Sequence, residues 1–165
     1  EVADRTNEFL FSKPISRSRI LSYKLAVGAL YVCMLSVLSY AFSLLALSMY
    51  HLTLGQSHEV LLFNVAMAVV GLVFFSVSAF VLSILKSTEK GYLFSNLLFV
   101  AAFVFGMVYD MLENGEAIRV FTPLRYFTPK EVVGGELNTA YLIISFAIIA
   151  ACLYLTYVFF NKKDM

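Results

Sequence analysis

Few side chains in this chain could do chemistry, and most of them lie inside long apolar runs. Ser36, Ser39 and Ser43 fall at i, i+3 and i+7, which places them on one helix face. Small residues on such a face let a neighbouring helix approach closely, and their hydroxyls can bond across the contact. The same stripe could line a substrate path, as could Asn64 on the second apolar run and Asp110 on the third. A carboxylate within a membrane span is a functional candidate, and Asp110 stands about a turn from the end of its run, where it can reach the interface. His51 and His58 flank a short polar stretch with no obvious further ligands, so they read as solvated loop histidines and not as a metal site. Cys33 and Cys152, both within apolar runs, suggest neither a disulfide framework nor a metal site.

Other chemistry is missing from the sequence. No GxxxxGK[ST] loop is present, so ATP is not bound here through a Walker site. Apart from Asp110 and the boundary residue Lys24, the apolar runs carry no charge, which argues against a proton relay or a sodium-coupling carboxylate chain. No Ser-His-Asp or zinc-protease pattern can be assembled. The expectation is a chain with no catalytic, cofactor-binding or metal site of its own.

Composition indicates what these residues are embedded in. With 61% hydrophobic and 14% charged residues and a mean hydropathy of +0.83, the chain is far more apolar than a soluble domain, in which about a quarter of residues are charged. It reads as an all-α polytopic membrane bundle. At about 20 residues per crossing, 165 residues hold four spans. These are expected near residues 22–50, 60–86, 92–112 and 138–160, in one domain covering 1–165. The net charge of +1 and the scattered basic residues do not suggest nucleic acid.

The spans carry their own contact signals. On the second, Asn64, Ala68, Gly71 and Ser78 share a face, with Phe74 and Phe80 on others. On the fourth, Asn138, Tyr141, Ser145, Cys152 and Thr156 form one stripe. The stretch 51–59, with Gly55, Gln56 and Ser57, reads as a loop, and KSTEKG over 86–91 as a tight connection.

Residues 113–137 are irregular but too apolar for a free loop. Gly115, Pro123, Pro129 and Gly134-Gly135 punctuate them, yet Ile118, Val120, Phe121, Leu124, Tyr126, Phe127, Val132 and Val133 cannot all face water. The segment should dip into the membrane or lie against it. Thr128-Pro129-Lys130-Glu131 is a capping-box start with proline at the first helical position, predicting a short helix there.

Basic residues set the orientation. One side holds Arg5, Lys13, Arg17, Arg19, Lys24, Lys86, Lys90, Lys162 and Lys163; the other holds Arg119, Arg125 and Lys130. By the excess of cations, the first side is expected to be cytoplasmic, with both termini on it.

Ahead of the first span, residues 1–24 change character twice. Val2, Ala3, Thr6, Phe9 and Leu10 fall at helical spacing opposite Glu1, Asp4 and Glu8, which predicts a short amphipathic helix. Pro14 should end it by Ser12, and a second helix should follow, with Arg17, Arg19 and Lys24 at the membrane boundary. The acidic start, Arg5-Thr6, Glu8-Phe9-Leu10, Ser12-Lys13-Pro14-Ile15-Ser16-Arg17, Lys24 and the terminal FFNKKDM resemble the permeases of the second class of ABC exporters. The family more often has glycine where Arg5 stands.

The resemblance implies that residues 1–21 form a cytoplasmic coupling segment. Glu1, Asp4, Arg5, Thr6, Glu8, Phe9, Leu10, Pro14 and Arg17 would dock on an ATP-binding subunit, which would itself hold ATP and magnesium. It further implies a second permease copy or homologue as partner, short re-entrant helices before the last span, and residence in a cell membrane, of prokaryotic type. Two earlier membrane helices are implied ahead of residue 1, which would make this a partial polypeptide. An alternative without the resemblance is a non-transporting four-span scaffold or assembly protein, whose docking helix and apolar outer segment would be partner surfaces only.

Overall fold

The computed structural model describes residues 17–49, 54–85, 87–112 and 119–162. The amphipathic segment expected over 1–12, with Glu1, Asp4, Arg5, Thr6, Glu8, Phe9 and Leu10, lies outside the described residues, as do Pro14 and His51. Helices are α1 (Arg17–Met49), α2 (Leu54–Ile84), α3 (Thr88–Met111), α4 (Pro129–Val133) and α5 (Thr139–Lys162), with a 3-10 turn at Pro123–Arg125. Four of them are long and apolar enough to cross a membrane. Hydrocarbon offers no partner for a peptide N–H or C=O, so an apolar run there must satisfy its own backbone, which a helix does. The 24 residues of α3 or α5 rise about 36 Å, enough to cross a hydrocarbon core of about 30 Å.

Two boundaries differ from the sequence expectation. Helix α2 begins at Leu54, so Gly55, Gln56, Ser57 and an exposed His58 are helical and not part of a loop. Helix α3 begins at Thr88, which leaves only residues 85–87 to join it to α2. Gly91 N–H bonds the Ser87 carbonyl at 3.0 Å, and a Cβ at Gly91 would stand 2.5 Å from Leu82 Cδ2. The missing side chain lets α3 start directly against α2. Both shifts have one cause. Each extends a long apolar helix whose backbone must stay paired within hydrocarbon, and carrying that helix on through a glycine costs only roughly 1 kcal/mol relative to alanine.

Helix α2 is the centre of the bundle, with α1, α3 and α5 packed around it. Its Ala66, Val69, Val70, Val73 and Ser76 are buried at three-and-four spacing. The ring of Phe74 meets Phe99 of α3 edge-on at 5.1 Å, and Phe80 meets Phe159 of α5 at 6.0 Å. Gly71 receives Val32 of α1, whose Cγ1 lies 3.2 Å from where a Cβ would stand. The stripe expected on the last span is the face that α5 buries: Tyr141, Ser145 and Thr156 are buried and Cys152 half-buried. Since Tyr141 clusters with Ala66 and Val70 while Phe159 meets Phe80, α2 and α5 run in the same direction. The outward faces of α1 and α3 remain apolar and exposed, with Leu35, Phe42, Leu93 and Phe103 among them, as suits side chains that face lipid.

Candidate functional site

Hydroxyls dominate the polar chemistry inside the bundle, and most of them bond within their own helix. Ser36 donates to the Val32 carbonyl at 2.9 Å and Ser43 to Ser39 at 2.8 Å. Ser145 donates to Tyr141 at 2.8 Å and Thr156 to Cys152 at 2.7 Å. Here the expectation of bonds across a helix contact is corrected for Ser36 and Ser43. A carbonyl three or four residues back is always within reach of a helical hydroxyl, and in an apolar surrounding it is the nearest acceptor.

The candidate path residues are spread over three helices. Ser36 and Ser43 are half-buried and Ser39 is exposed on α1. Asn64 is buried on α2 and donates to the Val60 carbonyl at 2.9 Å. Asp110 on α3 pairs with Arg125 of the stretch between α3 and α5. None of these five lines the crevice between α1, α2 and α5 or the hollow beside α4 and the start of α5.

Among the described residues, 119–138 hold a network of side-chain hydrogen bonds and an ion pair. Arg119, 5% exposed, is the hub. Its Nε donates to the Arg125 carbonyl at 3.0 Å and its Nη2 to the Tyr126 carbonyl at 3.0 Å. The same nitrogen reaches both Glu131 carboxylate oxygens, at 2.8 and 2.6 Å. The guanidinium also lies over the Tyr141 ring, 4.2 Å from its centroid, a favourable place for a cation on an aromatic face. Tyr126 stacks on Tyr141 at 5.2 Å and donates its hydroxyl to the Val120 carbonyl at 2.6 Å.

The same glutamate builds the short helix. Glu131 Oε2 accepts the Thr128 backbone N–H at 3.1 Å in the capping box that the sequence predicts. Gly135, at φ 79°, turns the chain out of α4. Tyr126, Phe127 and Val132 then bury themselves with Ala66, Val69, Val70 and Tyr141. Residues 119–138 are thus a cap with a continuous apolar underside on α2 and α5, and they contain a 3-10 turn and a short helix, as expected of residues too apolar for a free loop.

Electrostatics in the cap follow from this packing. Burial works against the Arg119 charge, but the Glu131 hydrogen bond and charge outweigh it and hold its pKa above the ordinary value. Burial likewise pushes the Glu131 carboxyl up, yet bonds from Arg119 and Thr128 bring it below the usual carboxylate value. Burial and the neighbouring Tyr141 raise the Tyr126 phenol, which stays a donor. A second tie holds the cap to α3. Arg125 pairs with Asp110 and lies across Gly106, with its Cγ 3.7 Å from where a Cβ would stand.

At the opposite, basic end, the first turns of α1 are bonded to the last turns of α5. Ser18 donates to Asn161 Oδ1 at 3.2 Å, and the Ser22 and Tyr157 hydroxyls meet at 2.8 Å. Ile20 and Leu21 are buried beside them. Arg17, the last of the docking candidates, opens α1 here.

Four apolar membrane-crossing helices under a folded cap define a multi-pass membrane protein with a polytopic helical bundle. Residues 1–165 match the family described as ABC-2 family transporter protein, and the chain belongs to that family. It is a transporter permease. Comparison with curated proteins and with solved structures gave no match.

Proposed function

We propose that this permease is driven by a separate ATP-binding subunit that docks on residues 1–17 from the cytoplasmic side. The supporting observation is the pair of hydrogen bonds between α1 and α5, Ser18–Asn161 and Ser22–Tyr157. A docking segment that leads directly into α1 would push on two helices at once, because the foot of α1 is held to the end of α5. The partner would bind ATP and magnesium, and its closure would reach the bundle through this foot. A second permease copy or homologue would complete the pathway across a cell membrane.

The excess of cations at the α1 foot, the α2–α3 connection and the α5 end supports a cytoplasmic position for that end, with both termini there. Phe9 and Leu10 are the apolar anchors of the docking segment; Glu1, Asp4, Arg5 and Glu8 are its polar rim, and Thr6, Pro14 and Arg17 complete it. Co-expression with a Walker-type ATPase encoded beside this chain is the test. A stable complex that hydrolyses ATP is the expected result. A chain that assembles without any ATP-binding subunit would instead favour the four-span scaffold.

A further inference from the structure

A crevice of about 330 Å³ opens between α1, α2 and α5 near their basic ends. Ser22 and Ala26 of α1, Phe75 of α2, and Ile149, Leu153 and Tyr157 of α5 form its walls. The α1 side runs from Ser22 to Ala29, about 10 Å along the helix. The walls are mostly carbon: Ser76 also lines them but is buried and donates to the Val73 carbonyl at 2.8 Å, and at one end the Ser22 and Tyr157 hydroxyls meet, with Ser22 also donating to the Ser18 carbonyl at 2.8 Å. Ser22 and Ala26 are exposed, so the slot opens to the surroundings of the bundle, which here are lipid.

Charge fixes the rest of the reading. Towards the helix ends stand Arg19 of α1, one turn before Ser22, and Lys162 of α5, about a turn and a half past Tyr157 on a long flexible side chain, both exposed. Lys90 is at the same end, where Glu89 is the acid among the described residues, while the exposed Lys24 stands on the slot side of Ser22 but outside the crevice lining. An apolar slot, a pair of hydroxyls and then cations, in that order along the bundle axis, matches an anionic lipid read from chain to ester to phosphate. We propose that this crevice is a binding site for an anionic phospholipid, with one acyl chain between α1, α2 and α5, the ester level at Ser22 and Tyr157, and the phosphate against Arg19 and Lys162. The site does not depend on an ATP-binding partner.

The chain has no tryptophan, so a single introduced one reports its own surroundings. Leu25→Trp places the probe in the crevice wall, and Tyr154→Trp places a control outside the crevice lining on α5, where the native residue is 70% exposed. Each full-length variant is reconstituted in phosphatidylcholine vesicles containing chain-brominated phosphatidylglycerol or chain-brominated phosphatidylcholine at the same mole fraction. At Leu25→Trp the anionic lipid should quench more strongly, with an enrichment of roughly fivefold per engaged cation. At Tyr154→Trp the two lipids should quench alike. Arg19→Gln with Lys162→Gln should erase the preference while leaving helix content unchanged by circular dichroism. Equal quenching by both lipids at Leu25→Trp would overturn the proposal, as would a preference that survives the double neutralisation. Protection from both lipids would also overturn it, showing that protein covers the slot, either residues 1–16 or another copy of the chain.

Discussion

The ring of Phe75 occupies the space that a side chain at Gly28 would need. A Cβ there would stand 2.4 Å from Phe75 Cε2 and 2.5 Å from Cζ. One turn further along, Val32 sits against Gly71, so α1 and α2 each offer a glycine to a larger side chain of the other. Small residues at these two points let the backbones of α1 and α2 approach closely, which favours packing where lipid offers no hydrophobic drive between helices.

Overpacking this contact should loosen α1. Gly28→Leu is expected to cost about 1 to 3 kcal/mol in detergent unfolding. Adding Phe75→Ala should return part of that loss, because the two sites are coupled. Strictly additive losses would show that ring and glycine do not share the contact.

The cap should depend on its buried ion pair far more than on its exposed one. Glu131→Gln leaves the Arg119 charge buried without its counter-charge and is expected to cost on the order of 3 kcal/mol locally. Hydrogen exchange over 126–133 would show it as lost protection, with α1 and α5 unchanged. Asp110→Asn breaks a pair whose side chains are 33% and 48% exposed, and it should cost below about 1 kcal/mol, an effect that shrinks with salt.

The cap also has an acid limit. The folded-state pKa of Glu131 lies below its ordinary value. Its stabilising contribution is therefore fully present above the unfolded value, about 4.3, and is lost as pH falls through the folded one. Protection over 126–133, corrected for intrinsic exchange, should stay level from neutral pH down to that value and drop below it. Glu131→Gln should remove the step.

Topology can be read by cysteine labelling in a chain with Cys33 and Cys152 replaced by serine. Ser57 and Thr88 lie near the starts of successive helices, α2 and α3. Ser57→Cys and Thr88→Cys should accordingly be modified from opposite sides of the membrane. Modification from one side would contradict the four-span bundle.

Much of the fold was legible because membrane helices write their contacts plainly. The stripe of Tyr141, Ser145 and Thr156 identified the buried face of α5, and Thr128 to Glu131 identified the start of α4. Helix starts were less legible, since Gly55 and Gly91 carry turn chemistry that the continuing apolar helix overrides. The Arg119 hub was missed altogether. Its partner stands twelve residues away through irregular chain, where no period relates the two. One signal was available: a guanidinium and a carboxylate in so apolar a segment stay buried at low cost only when paired. The path candidates carried no geometric information, because a serine that bonds its own helix looks in sequence like one that bonds a neighbour.

Phe9 is the residue on which docking of an ATP-binding subunit at residues 1–17 should turn. Association of the purified ATPase with vesicles containing the full chain would be measured for the native sequence, Phe9→Ala and Glu8→Lys at low and high salt. Loss of a buried anchor should weaken binding by about 1 to 3 kcal/mol while leaving membrane insertion intact. Glu8→Lys, at the rim, should do less, and its effect should fade with salt. Unaltered association of the Phe9→Ala chain, together with unaltered ATP-driven transport, would contradict the account.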